Sequence, residues 1–146
     1  MVLSLTNPVR RLRVVLIDDD SIQLELWKRV LERGGLEVIA CADPFSGIRA
    51  IGEGCDCVIT DHHMPGMTGI ELIKMCYLPA GPPFVVLTGS ASSQIAQGAL
   101  TAGASCVLTK PVESQAVLDA VQWLCQNRPR PAQREASGDR QRAIGA

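Results

Sequence analysis

Aromatic side chains are scarce, with two Trp, two Phe and one Tyr in 146 residues. Aliphatic residues must therefore fill the interior, and an apolar content of 47% is enough for one packed domain. No apolar run approaches the roughly 20 residues that cross a bilayer. The Arg-bearing N-terminus has no apolar core of signal-peptide length. No membrane contact is expected. No CxxC pair occurs among the six cysteines, and Cys55-x-Cys57 has no second pair to complete a zinc site. Most of the cysteines lie in or beside apolar runs, as buried thiols do in a reducing cytosol, so a cytoplasmic location is expected. There is no internal repeat. Basic residues are sparse in the body of the chain. Residues 14–126 hold six Lys/Arg against thirteen Asp/Glu, a balance of −7, while the whole chain carries −1 because both ends are Arg-rich. An acidic body excludes direct nucleic-acid binding, which needs basic patches. Charge is missing altogether between Lys74 and Lys110.

Strand and helix patterns alternate along the chain. Residues 14–17 form a continuous apolar run, the mark of a strand covered on both faces. A helix follows, capped by Asp20 or Ser21, with Ile22, Leu26 and Val30 at fourfold spacing, Trp27 and Leu31 beside them, and Gly34-Gly35 as a stop. Residues 36–40 read as a second strand. Asp43-Pro44 opens a second helix, whose buried side is marked by Phe45, Ile48 and Ile51. Residues 56–60, 84–88 and 105–109 read as three more strands. Helices are expected near 70–77, 92–102 and 113–126, the last with Val117, Val121 and Leu124 inward. Five strands alternating with five helices predict an α/β fold, a doubly wound parallel sheet in the flavodoxin-like order 2-1-3-4-5. Such sheets bind ligands at the carboxyl ends of the strands, where the order reverses between strands one and three.

The residues at those ends carry the chemistry. Asp18-Asp19-Asp20 follows the first strand, Asp61 the third, Thr88 ends the fourth, and Lys110-Pro111 follows the fifth. Asp18, Asp19 and Asp61 are like charges that a hard cation would compensate, and Mg²⁺ favours such oxygen donors. An aspartate can attack phosphorus and form an acyl phosphate. Lys110 supplies a point charge and Thr88 a hydroxyl to the transferring oxygens. Pro111 disfavours helix at Lys110 and keeps it extended, and a cis bond between them is compatible with the pattern. His62-His63 could suggest a transition metal, but adjacent side chains on extended backbone are expected to point apart. They are instead read as flanking the pocket, with His63 near the acyl phosphate.

In combination, Asp18-Asp19, the run Asp61-x-x-Met64-Pro65-Gly66-Met67-x-Gly69, Thr88 and Lys110-Pro111 resemble the receiver domain of bacterial two-component response regulators, the chemotaxis-regulator type included. The resemblance covers residues 12–126. It implies a signalling phosphoacceptor that catalyses only its own phosphorylation and dephosphorylation. Asp61 would take the phosphoryl group from a histidine kinase or phosphotransfer protein. Mg²⁺, or Mn²⁺, would be held by Asp19, Asp61 and the His63 backbone carbonyl, with Asp18 acting through water. Thr88 and Lys110 would contact the phosphoryl group, and Thr88 with Val107 would form the switch. Three positions depart from the family pattern: Gly89 where Ala is usual, Val112 where Phe is frequent, and Val107 where a ring is usual. The last leaves no ring to rotate.

Two other readings share parts of this pattern. A haloacid-dehalogenase-type phosphatase would need an acid two residues after its nucleophile, where His63 stands. A flavodoxin-type flavin module would carry its phosphate loop after strand one, where the three acids stand. The expected organisation is an N-terminal extension over 1–11, the domain over 12–126, and a flexible Arg/Pro-rich tail or linker stub over 127–146. No output domain is expected within the chain, so the readout would be a downstream effector protein or an output domain beyond the tail.

Overall fold

The computed structural model describes residues 10–90 and 92–128. The extension over 1–11 and the tail over 127–146 lie outside these residues, apart from 10–11 and 127–128. The elements run β1 (Arg13–Ile17), α1 (Ser21–Arg33), β2 (Glu37–Cys41), α2 (Pro44–Glu53), β3 (Cys57–Asp61), α3 (Gly69–Cys76), β4 (Phe84–Thr88), α4 (Ser93–Ala102), β5 (Cys106–Thr109) and α5 (Ser114–Gln126). The strands are parallel in the order β2-β1-β3-β4-β5, as the alternating pattern predicts.

Strand alternation divides the interior into two layers. Val14 and Leu16 face one way with Cys57, Ile59, Val85 and Leu87, packing on Leu31 of α1 and Val117 and Val121 of α5. Val15 and Ile17 face the other way with Val58, Phe84 and Val86, packing on Ala50, Leu72, Ile73 and Ala99 of α2, α3 and α4. Burial on both faces is why the strands read as unbroken apolar runs. Among the described residues no helix is long and apolar enough to cross a membrane.

Two helix faces differ from the sequence expectation. On α1, Ile22 and Leu26 are 73% and 57% exposed, whereas Leu24, Trp27 and Leu31 pack inward. Both lines are apolar at helical spacing, and the sheet selects the second. On α2, Phe45 is 61% exposed, while Pro44, Gly47 and Ala50 are buried. Small residues let α2 settle directly onto the sheet, since a Cβ at Gly47 would lie 2.4 Å from Ile17 Cδ1. Ile48 and Ile51 are half-buried at the edge of this contact.

The caps fall where the composition suggests. Asp20 Oδ1 accepts from the Ile22 and Gln23 N–H groups, Asp43 Oδ1 accepts from Ser46, and Gly34 and positive-φ Gly35 end α1. The two phenylalanines test the layer assignment. Phe84→Ala should cost about 3–5 kcal/mol by cavity formation. Phe45→Ala should cost no more than about 0.5 kcal/mol. Urea unfolding of both variants measures the contrast, and equal losses would contradict the packing of α2.

Candidate functional site

The three consecutive acids after β1 take three different positions. Asp18 stays with the sheet: its N–H donates to the Cys41 carbonyl at 3.1 Å, and it is only 3% exposed. Its Oδ1 accepts from the Asp20 N–H at 2.9 Å. Asp19 is exposed, and Asp20 turns away to cap α1. Asp61 is the last residue of β3, the strand beside β1. One carboxylate oxygen from each of Asp18, Asp19 and Asp61 lies within 4.8 Å of the other two.

Lys110 meets the cluster at Asp61. Its Nζ lies 3.2 Å from Asp61 Oδ1, which also accepts from the His62 N–H at 3.0 Å. The same ammonium donates to Gln23 Oε1 at 2.9 Å. The Lys110 backbone N–H reaches the Thr88 carbonyl at 2.7 Å, and the Lys110–Pro111 peptide is cis. Thr88 is buried, and its Oγ1 accepts from the Ser90 N–H at 3.1 Å. Val107 pairs in register with Val86 and is half-buried.

The run after Asp61 is shaped by backbone demands. Gly66 has φ +85°, and a Cβ at Gly69 would fall 2.9 Å from the Asp61 carbonyl. The Thr68 hydroxyl and the Glu71 carboxylate form a reciprocal cap that starts α3 there. Met64 is buried against the apolar layer.

The histidines do not point apart as expected. Their rings meet edge to face with centroids 4.7 Å apart, His62 buried and His63 exposed. His62 Nδ1 is buried without a hydrogen-bond partner. Burial first, and then the His63 charge, lowers its pKa, against the raising pull of Asp61 and Glu71. Neither ring joins the carboxylate cluster, whose donors are all oxygen. An oxygen-only set of this charge fits a hard divalent cation rather than a transition metal.

The sequence placed Asp18, Asp19, Asp61, Thr88 and Lys110 at this edge; the structure gathers the three aspartate carboxylates with the Lys110 ammonium and joins Thr88 to Lys110 through its backbone carbonyl. It did not point to Gln23, whose only signal was a polar residue in the first turn of α1, three positions after the cap.

Burial is the leading cause that raises the Asp18 carboxyl above its ordinary range. The Asp61 and Asp19 charges add to it, while the Asp20 N–H and Lys110 oppose it. A carboxyl raised in the folded state binds its proton more tightly there than in the unfolded chain. Stability therefore falls as pH climbs from about 3.8 through the raised value, and the full cost is present above it. Asp18→Asn keeps an acceptor for Asp20 without the charge. In metal-free buffer at pH 8 it should raise the thermal midpoint by about 2–6 °C. The difference should shrink toward pH 4, and scanning calorimetry at both pH values would reject the effect if the gain grew on acidification.

The family sequence pattern of the response regulator receiver domain matches residues 14–122. Among curated relatives, a putative two-component response regulator, ARR21 of Arabidopsis thaliana, is 29% identical over 126 residues, covering 84% of this chain and 20% of the relative. The sensory/regulatory protein RpfC of Xanthomonas campestris is 30% identical over 119 residues, covering 77% and 16%. The chain thus spans a fifth or less of the length of these relatives. Among solved structures, a response regulator receiver domain protein from Clostridium thermocellum aligns with a TM-score of 0.75 at 30% identity, covering 79% of this chain and 94% of that one. A CheY-like receiver domain protein from Methanospirillum hungatei aligns at 0.75 and 28%, covering 80% and 95%.

Proposed function

The chain belongs to the response regulator receiver domain family of two-component systems, and on that premise we propose that Asp61 is its phosphoacceptor. The observation that carries this reading is that the Asp61 carboxylate both meets the Lys110 ammonium at 3.2 Å and clusters with the carboxylates of Asp18 and Asp19. The donor is a histidine kinase or phosphotransfer protein. Asp61 attacks the phosphorus, the P–N bond to the donor imidazole breaks, and an acyl phosphate forms on Asp61. Asp19, Asp61 and the His63 carbonyl would hold Mg²⁺, or Mn²⁺, with Asp18 acting through water, and the cation when bound would neutralise part of the charge on the transferring oxygens. Lys110 meets a second of those oxygens and the Thr88 hydroxyl a third. The chain does no chemistry beyond gaining and losing this phosphoryl group. The exposed Leu26 of α1 lines the groove beside Lys110 and offers an apolar contact to a protein donor. A cytoplasmic setting agrees with six free thiols.

Incubation with Mg²⁺ and acetyl phosphate should add one phosphoryl group, read by intact mass, and Asp61→Asn should remove the label. Equal labelling of both proteins would sink the assignment. Steady turnover of a phosphate ester would favour a phosphatase instead.

Thr88 and Val107 form the switch. Capture of the Thr88 hydroxyl by the phosphoryl group would take it from the Ser90 N–H and pull on the loop entering α4. That helix has no side-chain cap at Ser92 and carries Gly98 inside it, so it resists reordering weakly. Hydrogen exchange with and without beryllofluoride should show its largest change over residues 89–104. A change confined to the surroundings of Asp61 would refute this route. The readout is a downstream effector protein, or an output domain elsewhere in a longer chain, recognising the face formed by α4, β5 and α5.

A further inference from the structure

We propose that Gln23 is a positioning residue for phosphoryl transfer, holding the Lys110 ammonium over Asp61 through its side-chain carbonyl. The proposal rests on Asp61 as phosphoacceptor and adds the group that fixes the direction of the lysine.

A lysine is a compact charge on a flexible four-carbon stem, with three donors and no preferred fork. Held by Asp61 alone, the Lys110 ammonium could pivot about one contact. The carboxylates of Asp18 and Asp19 stand beside that of Asp61, so the lysine faces more than one negative charge. Gln23 Oε1 supplies a second acceptor from a different element, at 2.9 Å against 3.2 Å to Asp61. Two acceptors define an axis, and the remaining N–H is left for an incoming phosphoryl oxygen.

Gln23 is itself held in place. It lies in the first turn of α1, and its N–H donates to Asp20 Oδ1 at 3.2 Å. The Asp20 N–H donates in turn to Asp18 Oδ1 at 2.9 Å. The contacts therefore form a circuit through Asp18, Asp20, Gln23, Lys110 and Asp61, closed by the proximity of the Asp61 and Asp18 carboxylates. The Lys110 side chain is only 23% exposed, so water competes weakly for its donors. Gln23 and Lys110 also share the wall of a groove of about 600 Å³ with Leu26, Trp27 and Pro111. Without the amide, the lysine would be free to swing into that space.

Gln23→Met keeps the length of the side chain and removes the acceptor. Gln23→Glu restores an acceptor at the same place. With saturating Mg²⁺ and acetyl phosphate, Gln23→Met should be phosphorylated about tenfold more slowly than wild type, the scale of one hydrogen bond to a charged group. Gln23→Glu should recover the rate to within about threefold by the same reasoning. The ¹H–¹⁵N signal of the Lys110 ammonium should be sharp in wild type and Gln23→Glu and lost to solvent exchange in Gln23→Met. Mg²⁺ affinity and the far-ultraviolet circular dichroism spectrum should match wild type in Gln23→Met. A wild-type rate or a wild-type ammonium signal in Gln23→Met overturns the proposal. If wild type itself takes no label on Asp61, the phosphoacceptor reading fails, and loss of the ammonium signal in Gln23→Met still supports the contact.

Discussion

Three carboxylates held within 4.8 Å of one another repel, and this fold holds them there. What opposes the repulsion is the stiffness of the sheet behind them. β1 and β3 are adjacent and in register, with Ile17 beside Thr60, so Asp18 and Asp61 emerge together at the same height. Val14, Val15, Ile17, Val58 and Ile59 are completely buried in the two layers that clamp these strands. Part of the stability of the packed sheet is spent on a local excess of negative charge, and Lys110 offsets only one unit of it. The remainder is a standing affinity for cations and for groups that arrive with a cation.

The strands were legible because burial on both faces leaves an uninterrupted aliphatic run. The run at 84–88 matches β4 at both ends. The acids were legible for a related reason, since each ends such a run and cannot follow it inside. Helix faces were harder to read. α1 has two apolar lines one residue out of phase, and only the arrival of β1 and β2 decides between them. α2 is buried through Gly47 and Ala50, residues too small to register as hydrophobic anchors, while its large Phe45 stays outside. The edge-to-face histidine pair and the Gln23–Lys110 contact were not legible at all. The second joins residues 87 apart in sequence, and no local periodicity encodes that distance.

The residue two positions after Asp61 bears on the phosphatase alternative. Enzymatic turnover of an aspartyl phosphate calls for a second acid-base group beside the nucleophile. Here the residue two positions on is His63, whose exposed ring meets that of its neighbour edge to face rather than joining the carboxylate cluster. Its Lys110 side offers a fixed positive charge, which suits holding a phosphoryl group.

The charge-free stretch between Lys74 and Lys110 has a consequence for partner binding. It supplies α4 and β5 with amides, hydroxyls, aliphatic groups and the Cys106 thiol only. Salt acts on association by screening charges, over about 8 Å at physiological ionic strength. A partner seated on α4 and β5 alone would therefore bind almost as well in strong brine as in dilute buffer. Its affinity would respond instead to temperature, through the negative heat-capacity change of buried apolar surface. Were α4 and β5 alone to carry the output, that output would be insulated from the ionic conditions around it, while the acidic carboxylate cluster would remain exposed to them.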